Sequence, residues 1–226
     1  MTASRRSPSP ADGGQPARTA ARDRLLAAAI DLLRTNGFAD TGVEALCAAA
    51  GVTKGAFFHH FATKEALGVA AAEHWAEATG AMFAAAPYHQ PADPVDRVMA
   101  MIDFRIALAS GSVEQFSCVA GTLVQEAFAS SPAIRRACAG AILGNARALE
   151  ADIAAAMAAR GVSGTSAASL ARHVQTVIQG SFIMAKTQEG EACAAMAREA
   201  LGHLRRYFEL LFHIAPDGAD RKETVR

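Results

Sequence analysis

Apolar residues recur every three or four positions along most of this chain. That spacing places them on one face of a helix, and such a face must be buried against another element. No stretch alternates apolar and polar residues convincingly, so no strand is expected and the fold class is all-α. Composition agrees: 51% of the 226 residues are hydrophobic, alanine leads among them, and strong β formers are few. Helices are predicted at about 20–36, 43–50, 54–60, 63–85, 95–110, 118–128, 132–160, 166–187 and 192–214. Thr53, Thr63 and Ser131 serve as N-caps, Pro132 as a first-turn proline, and Gly37, Gly51 and Gly161 as stops. Residues 1–18, rich in Ser, Pro, Gly and Arg, read as a disordered basic arm, and 215–226 as a polar tail. No internal repeat is present.

The stretch from Thr41 to Phe61 is the most informative. It reads as helix, tight turn at Gly51, helix, with the helix-turn-helix proper at 42–61. Two short crossed helices joined in this way can set the second into a DNA major groove. The second helix has about two turns, too few to stand alone. Phe57 and Phe61 supply its inward face, with Gly55, Ala56 and His59 opposite and Lys54, Phe58 and His60 on the flanks. Gly55 costs helix stability, and its use is close approach to DNA. Lys54 and Lys64 suit phosphates, Thr53 can donate a hydroxyl or backbone N–H to one, and His59 can read a base edge. The candidate DNA-binding set is Thr41, Thr53, Lys54, Gly55, Ala56, His59, His60 and Lys64. A helical hairpin without any nucleic-acid role shares this turn geometry.

The chain resembles the TetR family of one-component transcriptional regulators. The shared pattern runs through Arg24-Leu-Leu-Ala-Ala-Ala, Asn36-Gly-Phe, Gly51-Val-Thr-Lys-Gly and His60-Phe-Ala-Thr-Lys-Glu-Ala-Leu67, within 19–79. The resemblance implies an all-helical homodimer with a three-helix DNA-binding domain at 19–79. It also implies a helical domain at 80–214 that binds a small effector and dimerises through its last two long helices. Repression, a palindromic operator in double-stranded DNA and release by the effector go with it. Two positions depart from the pattern. Phe58 stands where the family usually has a tyrosine, whose hydroxyl often meets a phosphate. Ala56 replaces the more usual Ser or Thr, leaving contact with a thymine methyl as its readout.

The body offers no P-loop, GxGxxG, GxSxG or HExxH, so no enzyme, cofactor or metal is expected. His59 and His60 are adjacent on a helix and point about 100° apart, which does not suit a shared ion. An effector pocket is expected from Trp75, Phe83, Phe104, Cys118, Thr122, Gln125, Glu126, His173, Gln179 and Phe182. Its ligand should be mostly apolar, because charged groups are sparse in that set. Exposed polar faces would explain the same Thr, Gln, Glu and His positions. The dimer interface is expected at Leu170, Val174, Val177, Ser181, Leu201, Leu204 and Phe208, and the helix at 63–85 as the link between pocket and head.

Charge and cysteines bound the remaining classes. Net charge is zero, which weighs against an architectural DNA binder without a ligand, yet residues 1–64 carry eight basic against five acidic groups. Ordinary surface scatter gives a similar imbalance. The four cysteines form no metal-ligand spacing and read as small buried hydrophobes. A sensing role for Cys118 would need a nearby cation, and no basic residue adjoins it in sequence. No apolar stretch approaches the ~20 residues that span a bilayer, so no membrane partner and a soluble, cytoplasmic protein are expected.

Overall fold

The computed structural model describes residues 14–214, with side chains from residue 20 onward. Ten α-helices and no strand occur among the described residues. They are α1 (Gly14–Asn36), α2 (Val43–Ala50), α3 (Lys54–His60), α4 (Lys64–Ala84), α5 (Pro94–Leu108), α6 (Val113–Phe116), α7 (Val119–Ala127), α8 (Pro132–Arg160), α9 (Ala167–Ala185) and α10 (Glu191–Leu211). The proline-marked loop after α4 holds a single 3-10 turn, Pro87–His89.

Helix starts follow side-chain caps. Thr53, Thr63 and Ser131 accept hydrogen bonds from the N–H groups of Ala56, Ala66 and Ile134 at 3.0–3.1 Å. The first helix begins earlier than its apolar stripe suggests, so residues 14–18 are helical rather than part of the arm. Pro16 lies in the first turn, where a missing N–H costs nothing. Residues 1–13 of the expected arm and the tail at 215–226 lie outside the described residues.

Two apolar cores hold the helices together. One joins α5, α8, α9 and α10. The other starts at Leu25, Leu26, Leu46, Phe57, Phe61 and Leu67 in the N-terminal head. It runs on into Val119 and Leu123 of α7 and Ile134 and Cys138 of α8. The head therefore shares a core with the body, and α4 belongs to both.

The expected dimer residues need correcting. Leu170, Val174, Ser181, Leu201, Leu204 and Phe208 are at most 3% exposed, because they form the body's own core. Val177 is half-buried against the same cluster. The outward faces of α9 and α10 carry other large apolar groups: Ile183, Met184, Tyr207 and Leu210, each 41–61% exposed. These two helices bear apolar residues on more than one face, and the longer stripe is consumed inside the protomer.

Candidate functional site

Gly51 ends α2 in the left-handed conformation, φ 61°, where a side chain would be strained. The chain then enters α3, whose seven residues are anchored by Phe57, fully buried against Phe61. This anchoring leaves Thr53, Lys54, Gly55, Phe58 and His59 exposed on one surface, with Ala56 and His60 half-buried beside them. Lys54 pairs with Glu44 of α2 at 2.6 Å. That hydrogen bond holds the lysine above and the glutamate below their ordinary pKa values. The pair is solvent-exposed, so a phosphate can compete for the ammonium.

Two members of the expected DNA-binding set face inward instead. Thr41 is 1% exposed, and its hydroxyl donates to the Gly37 carbonyl at 2.6 Å. The Lys64 ammonium donates to the carbonyls of Phe38 and Ala39 at 2.8 and 3.2 Å and lies 4.5 Å from the Phe38 ring centroid. The end of α1 leaves carbonyls without intrahelical partners, and these two side chains satisfy carbonyls in the segment that follows. Thr41 is thus removed from the contacting set, and Lys64 keeps one N–H for an outside acceptor.

The body holds a cavity of about 330 Å³. Its walls are Trp75, Ala78, Thr79, Met82 and Phe83 of α4, Arg105, Leu108 and Ala109 from α5, Gln115 and Phe116 of α6 and Cys118. Asn145 of α8, Gln175, Ile178, Gln179 and Phe182 of α9 and Leu201 of α10 complete them. Of the expected pocket residues, Trp75, Phe83, Cys118, Gln179 and Phe182 are there.

The others are elsewhere. Phe104 packs beyond the wall against Phe83 and Tyr88. Thr122 accepts from Lys186 at 3.0 Å, and the Gln125 amide donates to the Gly121 carbonyl at 2.8 Å. Glu126 reaches the head, where it accepts from the Ala39 N–H at 2.8 Å. His173 is exposed and packs on Tyr207. Sequence reasoning missed Arg105, Gln115 and Asn145. The signal for Arg105 was present: it lies three residues after Ile102 and four before Ala109, both buried, so it falls within the apolar stripe of α5. Arg105 and Lys186, both distant in sequence from Cys118, lie within electrostatic reach of its thiol.

Cavity and head meet at Arg34 of α1. Its guanidinium stacks 5.1 Å from the Trp75 ring centroid and donates to the Gln115 carbonyl at 3.2 Å. Both partners are cavity walls. The Glu126–Ala39 bond lies across the same junction, and Gly37 makes room for it. A Cβ there would collide with the Glu126 carboxylate, and Gly37 also has φ +83°.

Comparison with known proteins places this architecture. Residues 25–71 match the family model described as bacterial regulatory proteins, tetR family. Residues 94–199 match that of the transcriptional regulator LmrA/YxaF-like, C-terminal domain. No curated protein sequence matches the chain. Among solved structures, reduced Escherichia coli NemR is similar at 23% identity and TM-score 0.69, over 84% of this chain and 96% of that one. A TetR transcriptional regulator from Chloroflexus aurantiacus gives 25% and 0.67, over 85% and 96%. A transcriptional regulator from Saccharomonospora viridis, in complex with choline, gives 18% and 0.69, over 84% and 97%. No helix among the described residues is long and apolar enough to cross a membrane. With its head and its body each matched by a regulator model, the chain belongs to the TetR family of DNA-binding transcriptional regulators.

Proposed function

We propose that this chain is a cytoplasmic repressor that holds a palindromic operator as a homodimer and leaves it when a small molecule fills the cavity. The observation that carries this reading is Arg34, a head residue held by two cavity walls, Trp75 and Gln115. A ligand that displaces either wall acts on α1 directly. It also acts on α4, whose 21 residues span about 30 Å from α3 to the cavity. In a two-fold dimer a small tilt of α4 changes the separation of the two α3 helices, which must match half-sites about one DNA turn apart. The exposed apolar groups of α9 and α10, Ile183, Met184, Tyr207 and Leu210, support the dimer, because large apolar side chains left in water invite association. Choline is not carried over from the Saccharomonospora regulator, since the one charged side chain among the described residues of this cavity's wall is itself a cation.

Operator affinity measured by fluorescence anisotropy, on DNA flanking the chain's own gene, tests the reading. Specific, symmetric binding of one dimer should appear, and compounds that raise the melting temperature should weaken it. By linkage, operator DNA must weaken those compounds' binding by the same factor. Compounds that stabilise the protein yet never shift operator affinity would leave a constitutive DNA binder. Loss of the gene should raise transcription of the genes beside the operator; lowered transcription would indicate an activator.

A further inference from the structure

Among the described residues Arg105 has no counter-ion. Three other arginines of the body, Arg97, Arg160 and Arg205, pair with Asp152, Asp93 and Asp103. No carboxylate pairs with Arg105 among the described residues, and its buried Nε has no hydrogen-bond partner. Its guanidinium lies over the Phe83 ring, 3.5 Å from the centroid. One face of the fork is thus covered by an aromatic ring while the residue lines the cavity. Burial pushes its pKa down to about 10, which still leaves it charged at neutral pH. A second group is also unsatisfied. The Gln175 side-chain oxygen is buried without a partner, on a residue that is itself 6% exposed. A half-buried guanidinium whose buried Nε has no partner and a buried amide oxygen without one, both on the wall of one cavity, call for a polar occupant.

We propose that the cavity takes a monoanionic, otherwise apolar molecule, a small carboxylic acid, with its carboxylate on Arg105. The planar carboxylate fits the guanidinium fork, and Gln175 can meet the headgroup as a donor, through its amide N–H once the amide is turned toward it. A dianionic phosphate is disfavoured, because Arg105 is the sole charged wall residue among the described residues. The remaining surface is supplied largely by Trp75, Phe83, Phe116, Ile178 and Phe182, which suit an aromatic or aliphatic body. This assignment deepens the effector reading above and rests on the cavity being the ligand site.

Trp75 is the sole tryptophan of the chain and a cavity wall, so its fluorescence reports on this site. Octanoate and 3-phenylpropanoate, their amides octanamide and 3-phenylpropanamide, and octylamine are titrated into the full-length protein, with calorimetry alongside. The acids should bind at least about tenfold more tightly than the amides, the worth of a charge-assisted hydrogen bond. The amine should not bind. Arg105→Gln should bring the acids down to the level of the amides while leaving the amides unchanged, and Arg105→Lys should keep part of the preference. Without ligand, Arg105→Gln should melt no lower than wild type, because it removes an uncompensated cation; a purely structural arginine would show the opposite. Equal binding of acid and amide, acid binding that survives Arg105→Gln, or no Trp75 response to either acid at millimolar concentration each overturns the assignment. Operator affinity is read separately. Arg105-dependent acid binding that leaves operator affinity unchanged supports the anion site and refutes release by the ligand.

Discussion

Replacing Leu204 with alanine and Leu210 with lysine should damage the protein in different ways, although both leucines lie on α10. Leu204 is 3% exposed and belongs to the core shared with α5, α8 and α9. Its truncation removes buried methyl groups and leaves a void, at about 3 kcal/mol. For a chain of this size that is a fall in melting temperature of roughly 6–12 °C. Leu210 is 61% exposed, so the protomer loses at most about 1 kcal/mol when it is replaced. In a two-fold dimer, however, each substitution appears twice. Partial desolvation of a lysine at about 2 kcal/mol per copy weakens association by around a thousandfold. Light scattering after size exclusion, over a dilution series, separates the two effects. Wild-type protein should be dimeric, with a melting temperature that rises with concentration. The Leu210→Lys protein should be a folded monomer whose melting temperature does not depend on concentration. A Leu210→Lys protein that stays dimeric in the micromolar range, beside a Leu204→Ala protein that melts like wild type, would reverse the assignment of faces.

Other substitutions probe the head and its junction. Lys54→Ala should leave the melting temperature unchanged, its partner Glu44 being exposed, and should reduce the slope of log operator affinity against log salt by about 1. Lys64→Ala should instead lower the melting temperature, because two carbonyls lose their donor, at about 1–2 kcal/mol. Unchanged melting for Lys64→Ala would put its ammonium outside the domain, on phosphate. Gly37→Ala carries about 1–2 kcal/mol of left-handed backbone strain and displaces Glu126, so it should melt well below Glu126→Gln, which keeps an acceptor for Ala39; equal melting would show that the glycine is not needed. Arg34→Met should shrink the effect of any Trp75-quenching ligand on operator affinity by up to about tenfold. An undiminished effect would remove Arg34 from the coupling route.

Helix positions were legible because their signals are local. Thr53, Thr63 and Ser131 each cap the helix that follows, and Gly51 and Gly161 adopt the left-handed conformation that ends one. The four-residue α6 was not legible, being too short to show a period. Which apolar face meets which neighbour was not legible either. Leu204 and Leu210 are both apolar residues on one helix, and only the packing of α9 and α5 against it decides which is core. Thr41 and Lys64 fit a DNA-binding pattern by type, but their acceptors are carbonyls of the segment after α1, and no local signal announces that geometry. Glu126 has a partner 87 residues away. Arg105 was the avoidable omission. A charge in an apolar stripe is visible in the sequence, and it adds a cation to a ligand site in which charged groups were expected to be sparse.

The stiffness of the shared core fixes where a ligand can act. The first half of α4 buries Leu67, Gly68, Ala71 and Ala72, and Gly68 comes so close to Ile134 and Phe38 that a Cβ would lie 3.0 Å from each. That half moves as one body with its surroundings, because a close-packed interior transmits displacement rather than absorbing it. From Trp75 onward α4 lines the cavity instead. The contacts that tie this region to α1 are of another kind: one stacked guanidinium, one bond to the Gln115 carbonyl, and nearby the Glu126–Ala39 bond. A partly exposed stacking contact with one such bond is worth about 1–2 kcal/mol. A tenfold change in operator affinity needs about 1.4 kcal/mol of coupling. On the proposed reading, the junction is weak enough for a bound ligand to break, and its worth matches the coupling that a tenfold change in operator affinity requires. A ligand that filled the cavity but left Trp75 and Gln115 in place would bind without touching this junction, so its affinity and its effect on DNA binding would be separate properties.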